Sequence, residues 1–77
     1  MKATLLKTVE RVSNYGGKFY YAFFKDESGH SYRSCLYPKY GNFKRWQGFI
    51  GKSGIVLDGL NARGSMIDAD SFPRLVG

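Results

Sequence analysis

Hydrophobic positions along this chain follow no helical period for more than a few residues, and Gly and Ser clusters break the pattern about every ten residues, the spacing of short strands in a small barrel or sandwich. The first predicted strand is Ala3–Val12, ended by the turn Ser13-Asn14-Tyr15-Gly16-Gly17. The second, Lys18–Lys25, is aromatic almost throughout: Phe19, Tyr20, Tyr21, Phe23 and Phe24 surround Ala22. Asp26-Glu27-Ser28-Gly29 closes a hairpin onto the third strand, His30–Tyr37, which Pro38 terminates. An irregular connection over 39–53 follows, with Asn42 as cap of one short helical turn at Phe43–Gln47 and Gly48 as its stop. Ile55–Leu60 and Ser65–Ala69 complete five strands, and Phe72-Pro73 opens an extended tail.

Strand side chains alternate between faces, so the length of the hairpin loop decides what the second and third strands expose. With Asp26–Gly29 as the loop, Lys25 faces His30. Phe23 then lies opposite Tyr32, Tyr21 opposite Ser34 and Phe19 opposite Leu36, a nearly apolar core face. The opposite, outer face carries Lys18, Tyr20, Phe24, Arg33 and Tyr37. This register is preferred because it separates Lys18 and Arg33 from the apolar set. A five-residue loop would shift the pairing by one. Tyr20, Phe24, Tyr32 and Leu36 would then share a face, and Arg33 would join Phe19, Tyr21 and Phe23.

Charge gives the outer face a meaning. Twelve Lys/Arg against six Asp/Glu leave a net charge of +6 on 77 residues, which favours an anionic partner, most commonly nucleic acid. From Tyr32 to Trp46 rings and cations alternate with no acidic residue among them. Bases offer π-faces and phosphates offer charge, so this composition suits a single strand, at about 1–3 kcal/mol per stacked base. The expected phosphate contacts are Lys18, Arg33, Lys39, Lys44 and Arg45, and the expected stacking rings are Tyr20, Phe24, Tyr37 and Tyr40. Trp46 is either the largest stacking surface of a mobile basic loop or the core anchor of the helical turn, and a lone Trp in a small domain favours the anchor. Lys7 and Arg11 alternate with Leu5 and Val9 and would extend the positive groove or form its wet edge. Arg63 lies in the turn after the fourth strand.

Five short strands with a helical turn between the third and fourth resemble the OB-fold, here as a small all-β, five-stranded, partly open barrel that takes up the whole chain, 1–77, as a single domain. An SH3-like barrel is the alternative. The resemblance is to single-stranded-DNA-binding OB proteins, such as the short DNA-binding proteins of phages and mobile elements. It implies oligonucleotide binding on the second and third strands and on the loops after the first and fourth. It also implies a cytoplasmic setting, that of the host cell if phage-encoded.

Other chemistries find little support. One cysteine, Cys35, allows no internal disulfide and fits a reducing intracellular setting. His30 and Cys35 point to opposite faces of one strand and cannot pair as base and nucleophile. Asp68 and Asp70 offer too few oxygens for a metal, and Asp58 adds nothing definite, so neither metal nor cofactor is expected. The basic start at Met1–Lys7 has too short an apolar run for a signal peptide, and no segment is apolar enough to span a bilayer. The sequence thus predicts a non-enzymatic, largely sequence-independent binder of single-stranded nucleic acid, DNA favoured over RNA, with edge-to-edge homodimerisation open to it. A protein-interaction module and a duplex-DNA architectural binder are the alternatives.

Overall fold

A computed structural model describes residues 1–76. Its strands are β1 (Ala3–Val12), β2 (Lys18–Lys25), β3 (Ser31–Leu36), β4 (Ile55–Asp58), β5 (Ala62–Arg63), β6 (Met66–Ile67) and β7 (Arg74–Leu75). Two 3-10 turns, Gly41–Arg45 and Gln47–Phe49, lie between β3 and β4. The strands form one seven-stranded mixed sheet, in the order β5-β6-β3-β2-β1-β4-β7, curled into a half-barrel. No helix among the described residues is long and apolar enough to cross a membrane.

The all-β class and the helical turns after β3 are as expected, but in place of a five-stranded, partly open barrel the chain forms a seven-stranded half-barrel. Closure would need β4 to pair with the strand that follows it. That edge of β4 is instead taken by β7, with Leu57 opposite Leu75 and Asp58 opposite Arg74. The chain between is drawn to the N-terminus, where the Met1 ammonium donates to the Leu60 carbonyl at 2.8 Å. β6 then pairs in parallel with β3 at Arg33 and Met66, and the sheet stays open.

The β2–β3 hairpin adopts the shifted register. Lys25 faces Ser31, Phe24 faces Tyr32, Phe23 faces Arg33, Ala22 faces Ser34, Tyr21 faces Cys35 and Tyr20 faces Leu36. The cause is Asp26. Its Oδ1 accepts from the Ser28 and His30 amides at 3.0 and 2.9 Å, and its Oδ2 accepts from the Tyr32 hydroxyl at 3.0 Å. The carboxylate thereby gathers His30 into the loop, and Gly29 turns the chain at φ 84°. These amide donors, led by His30, hold the Asp26 carboxyl below its ordinary value. A depressed carboxylate contributes stability above its unfolded pKa and loses it as pH falls through the folded one. The melting temperature is therefore expected to fall below about pH 4, and Asp26→Ala to make that decline shallower while lowering stability at pH 7, as read by circular dichroism.

The second surprise lies in β1. Leu5 faces the buried Phe24, but Lys7 faces Phe23 on the opposite side of the sheet, because the ladder slips at Leu6. This β-bulge reverses the strand's facing. Leu5 enters the core while Lys7, Val9 and Arg11 turn outward beside Phe23, Tyr21 and Phe19.

Inside the curl lie Leu5, Ala22, Phe24, Leu36, Trp46, Leu57, Leu60 and Ile67. Phe24 is 0% exposed and meets the edge of Trp46 with ring centroids 6.3 Å apart. Trp46 is 1% exposed, and its Nε1 donates to the Ala69 carbonyl at 2.8 Å. The helical turn is thus docked by Trp46, the anchor role favoured by sequence. Asn42 does not cap it: its amide donates to the Asp70 carboxylate at 2.9 Å. Arg45 grips the same C-terminal segment, donating to the Asp70 carbonyl at 2.8 Å and lying 3.8 Å from the Phe72 ring centroid.

Gly59 fixes where that segment passes. Its φ is 78°, and a Cβ there would collide with the Phe72 carbonyl oxygen. Gly59→Ala is expected to cost at least about 2 kcal/mol, read as a lowered urea midpoint, since the left-handed backbone alone costs an L-residue about 1–2 kcal/mol. Gly16→Ala has a similar φ of 82° but open space around the added carbon, and should show only the backbone part.

Candidate nucleic-acid interface

The outer side of the sheet carries a continuous file of rings. Phe23 lies 6.2 Å from Tyr21, Tyr21 5.3 Å from Phe19, Phe19 5.4 Å from Tyr37, and Tyr37 5.7 Å from Tyr40, centroid to centroid. The Phe19–Tyr37 pair is stacked, with ring planes 23° apart. The strand period of two produces this file: Phe19, Tyr21 and Phe23 occupy alternate positions of β2, and Tyr37 continues β3 just beyond its last paired residue.

Cations flank the rings. The Lys7 ammonium lies 5.4 Å from the Phe23 centroid, the Arg33 guanidinium 5.1 Å from Tyr21, and the Lys39 ammonium 5.3 Å from Tyr40. Arg11 stands opposite Phe19 on β1. The outward positions of β1, β2 and β3 hold no carboxylate. Glu10 faces the other side, opposite Tyr20, and Asp26 and Glu27 sit in the hairpin loop. The rings Phe19, Tyr21 and Phe23 are half-buried against their neighbours, while Tyr37 and Tyr40 are 37% and 54% exposed. Contact with the Cys35 side chain raises the Tyr37 phenol above its ordinary value.

The residues singled out from sequence divide sharply. Arg33, Tyr37, Lys39 and Tyr40 fall on the ring file or its flank, and Lys44 is exposed nearby. Phe24, expected to stack bases, is corrected to the core by the register. Tyr20 also turns inward, where it stacks on Phe43 at 5.8 Å. Trp46 is buried and offers no face to a ligand. Lys18 is exposed but pairs with Glu10 at 3.1 Å, a hydrogen bond that raises its pKa and offsets its charge. Arg45 is committed to the C-terminal segment. In their place stand Phe19, Tyr21, Phe23 and the flanking Lys7 and Arg11. The ability of Asp26 to accept from amides two and four residues on was the available signal for the first three.

The remaining polar chemistry is structural. Arg63 pairs with Asp68 at 3.7 Å and Arg74 with Asp58 at 3.4 Å. Among the described residues no three of His, Cys, Asp and Glu gather as they would around a metal ion. Comparison with protein-family models, curated proteins and solved structures finds no match for this chain.

Proposed function

We propose that this chain binds single-stranded DNA along the outer face of β1–β3, by stacking and phosphate contacts and without strong sequence preference. The observation that carries the reading is the unbroken file from Phe23 to Tyr40, flanked by Lys7, Arg33 and Lys39 on a face without carboxylates. Rings in file accept any base, because every base has a π-face, and an arginine plane stacks bases as well. Duplex DNA keeps its bases stacked on one another and would leave the rings unused. On this reading the protein acts by binding alone, inside the cell, with no cofactor.

An OB-like plan is part of the same reading. What supports it is that β1 pairs with both β2 and β4, that the helical turns fall between β3 and β4, and that the ring file runs along β2 and past the end of β3. The C-terminal β7 and the β5–β6 hairpin are additions to that plan.

The test is fluorescence anisotropy of a labelled oligo(dT) across a salt series. If Lys7, Arg11, Arg33, Lys39 and Lys44 each neutralise one phosphate, log Kd changes with log salt at a slope of about 3.5 in magnitude. An unlabelled single strand should compete and a duplex of equal length should not. A flat salt response, or equal competition by duplex, overturns the proposal, and a folded chain that binds no nucleic acid returns the rings to a protein interface.

A further inference from the structure

The ring file does not end in open solvent. Where it passes Phe19 and Tyr37 it meets a groove of about 650 Å³ between the β1–β2 loop and the segment after β3. Two stacked pairs supply its walls: Phe19 on Tyr37 at 5.4 Å and Tyr20 on Phe43 at 5.8 Å. A second hollow of about 410 Å³ shares Pro38, Lys39 and Phe43 with the first and continues to Lys44. No carboxylate lines either one. Lys39 and Lys44 have no ion-pair partner among the described residues, unlike Lys18. Tyr15 stands at the rim, 98% exposed, on a turn tied by the Ser13 amide donating to the Gly17 carbonyl at 2.8 Å.

We propose that this groove is a mononucleotide subsite: the aromatic walls take one base and Lys39 and Lys44 take its phosphate. The volume falls in the range of small-molecule sites, which pair apolar walls with a few placed polar groups. A nucleoside monophosphate matches both parts, a planar apolar body and a phosphate held against unpaired lysines. The exposed Tyr15 ring is placed to cover the base once it enters. The subsite deepens the single-strand reading, since a strand lying along the file would deliver its next base here, but the groove can be tested apart from it.

The experiment titrates isotopically labelled protein with thymidine 5′-monophosphate, thymidine and inorganic phosphate in turn, following backbone amides by NMR. The monophosphate should saturate shifts at Gly17, Lys39 and Phe43, and bind about fivefold or more tightly than either part alone. Lys39→Gln with Lys44→Gln should remove its advantage over thymidine. Tyr15→Ala should weaken it about fivefold at an unchanged melting temperature. Phosphate binding as tightly as the monophosphate, shifts confined to Phe23 and Arg33, or no saturation would each overturn the subsite. The two readings fail separately. Oligo(dT) binding without groove shifts from the monophosphate rejects the subsite alone. Monophosphate binding in the groove by a chain that ignores oligo(dT) rejects the ring file alone.

Discussion

Replacing Tyr21 and Phe23 together by alanine is expected to weaken oligo(dT) binding by about 30-fold or more, since each stacked base is worth about 1–3 kcal/mol and 1.4 kcal/mol is tenfold. These two rings sit mid-file, with Arg33 against one and Lys7 against the other. Their loss breaks the track where cations and rings are densest. The core beneath is built from the opposite parity of β2, Ala22 and Phe24, and is left in place. Lost cross-strand contacts cost about 0.2–1 kcal/mol each, so the fold should survive with a lower melting temperature. Anisotropy gives the binding loss, and circular dichroism confirms that the comparison is between folded chains. A folded double variant with unchanged affinity would remove the outer face from the binding site. If destabilisation obscures the result, Lys7→Gln with Arg33→Gln keeps every ring and should lower the salt slope by about 1.4.

Trp46→Ala should leave the chain largely unfolded at 25 °C. Truncating a buried Trp costs about 3–5 kcal/mol, and a single core in a domain this small supplies about as much. Trp46 fills the mouth of the half-barrel against Phe24 and binds the Ala69 carbonyl, so it joins the helical turn, the sheet and the C-terminal segment at one point. Trp46→Phe separates the contributions. It restores most of the apolar bulk but strands the Ala69 carbonyl, at a cost of about 1–3 kcal/mol. A urea titration should therefore rank the chains wild type, Phe, Ala. A fully folded alanine variant would mean that the core does not depend on the docked turn.

The sequence was most legible where chain chemistry is local. β1 and β2 have their expected limits, because glycine-rich turns and a run of rings act over a few residues. Open closure was not legible: it depends on Arg74-Leu75 reaching β4, from a tail whose Phe72-Pro73 start reads only as extended. The candidate site was half legible. Arg33, Tyr37, Lys39 and Tyr40 are exposed as expected, Arg33 from within β3 and the other three from beyond its end, where register no longer matters. Phe24 is expected outside because segregating Lys18 and Arg33 from the apolar residues outweighs the capping power of Asp26. Lys18 sits at the strand's first position, beyond the core, where either facing keeps it wet. Its charge therefore carried no information about which side of β2 is buried.

The slip at Leu6 has a consequence for how this chain can vary. It switches which alternate positions face inward: Ala3 and Leu5 before it point to the interior, whereas Lys7, Val9 and Arg11 after it point outward and leave the inner side to Thr8 and Glu10. Charge on Lys7 or Arg11 can thus be retuned without touching Ala3 or Leu5. A single strand thereby carries both a stretch anchored in the core and a charged outer edge.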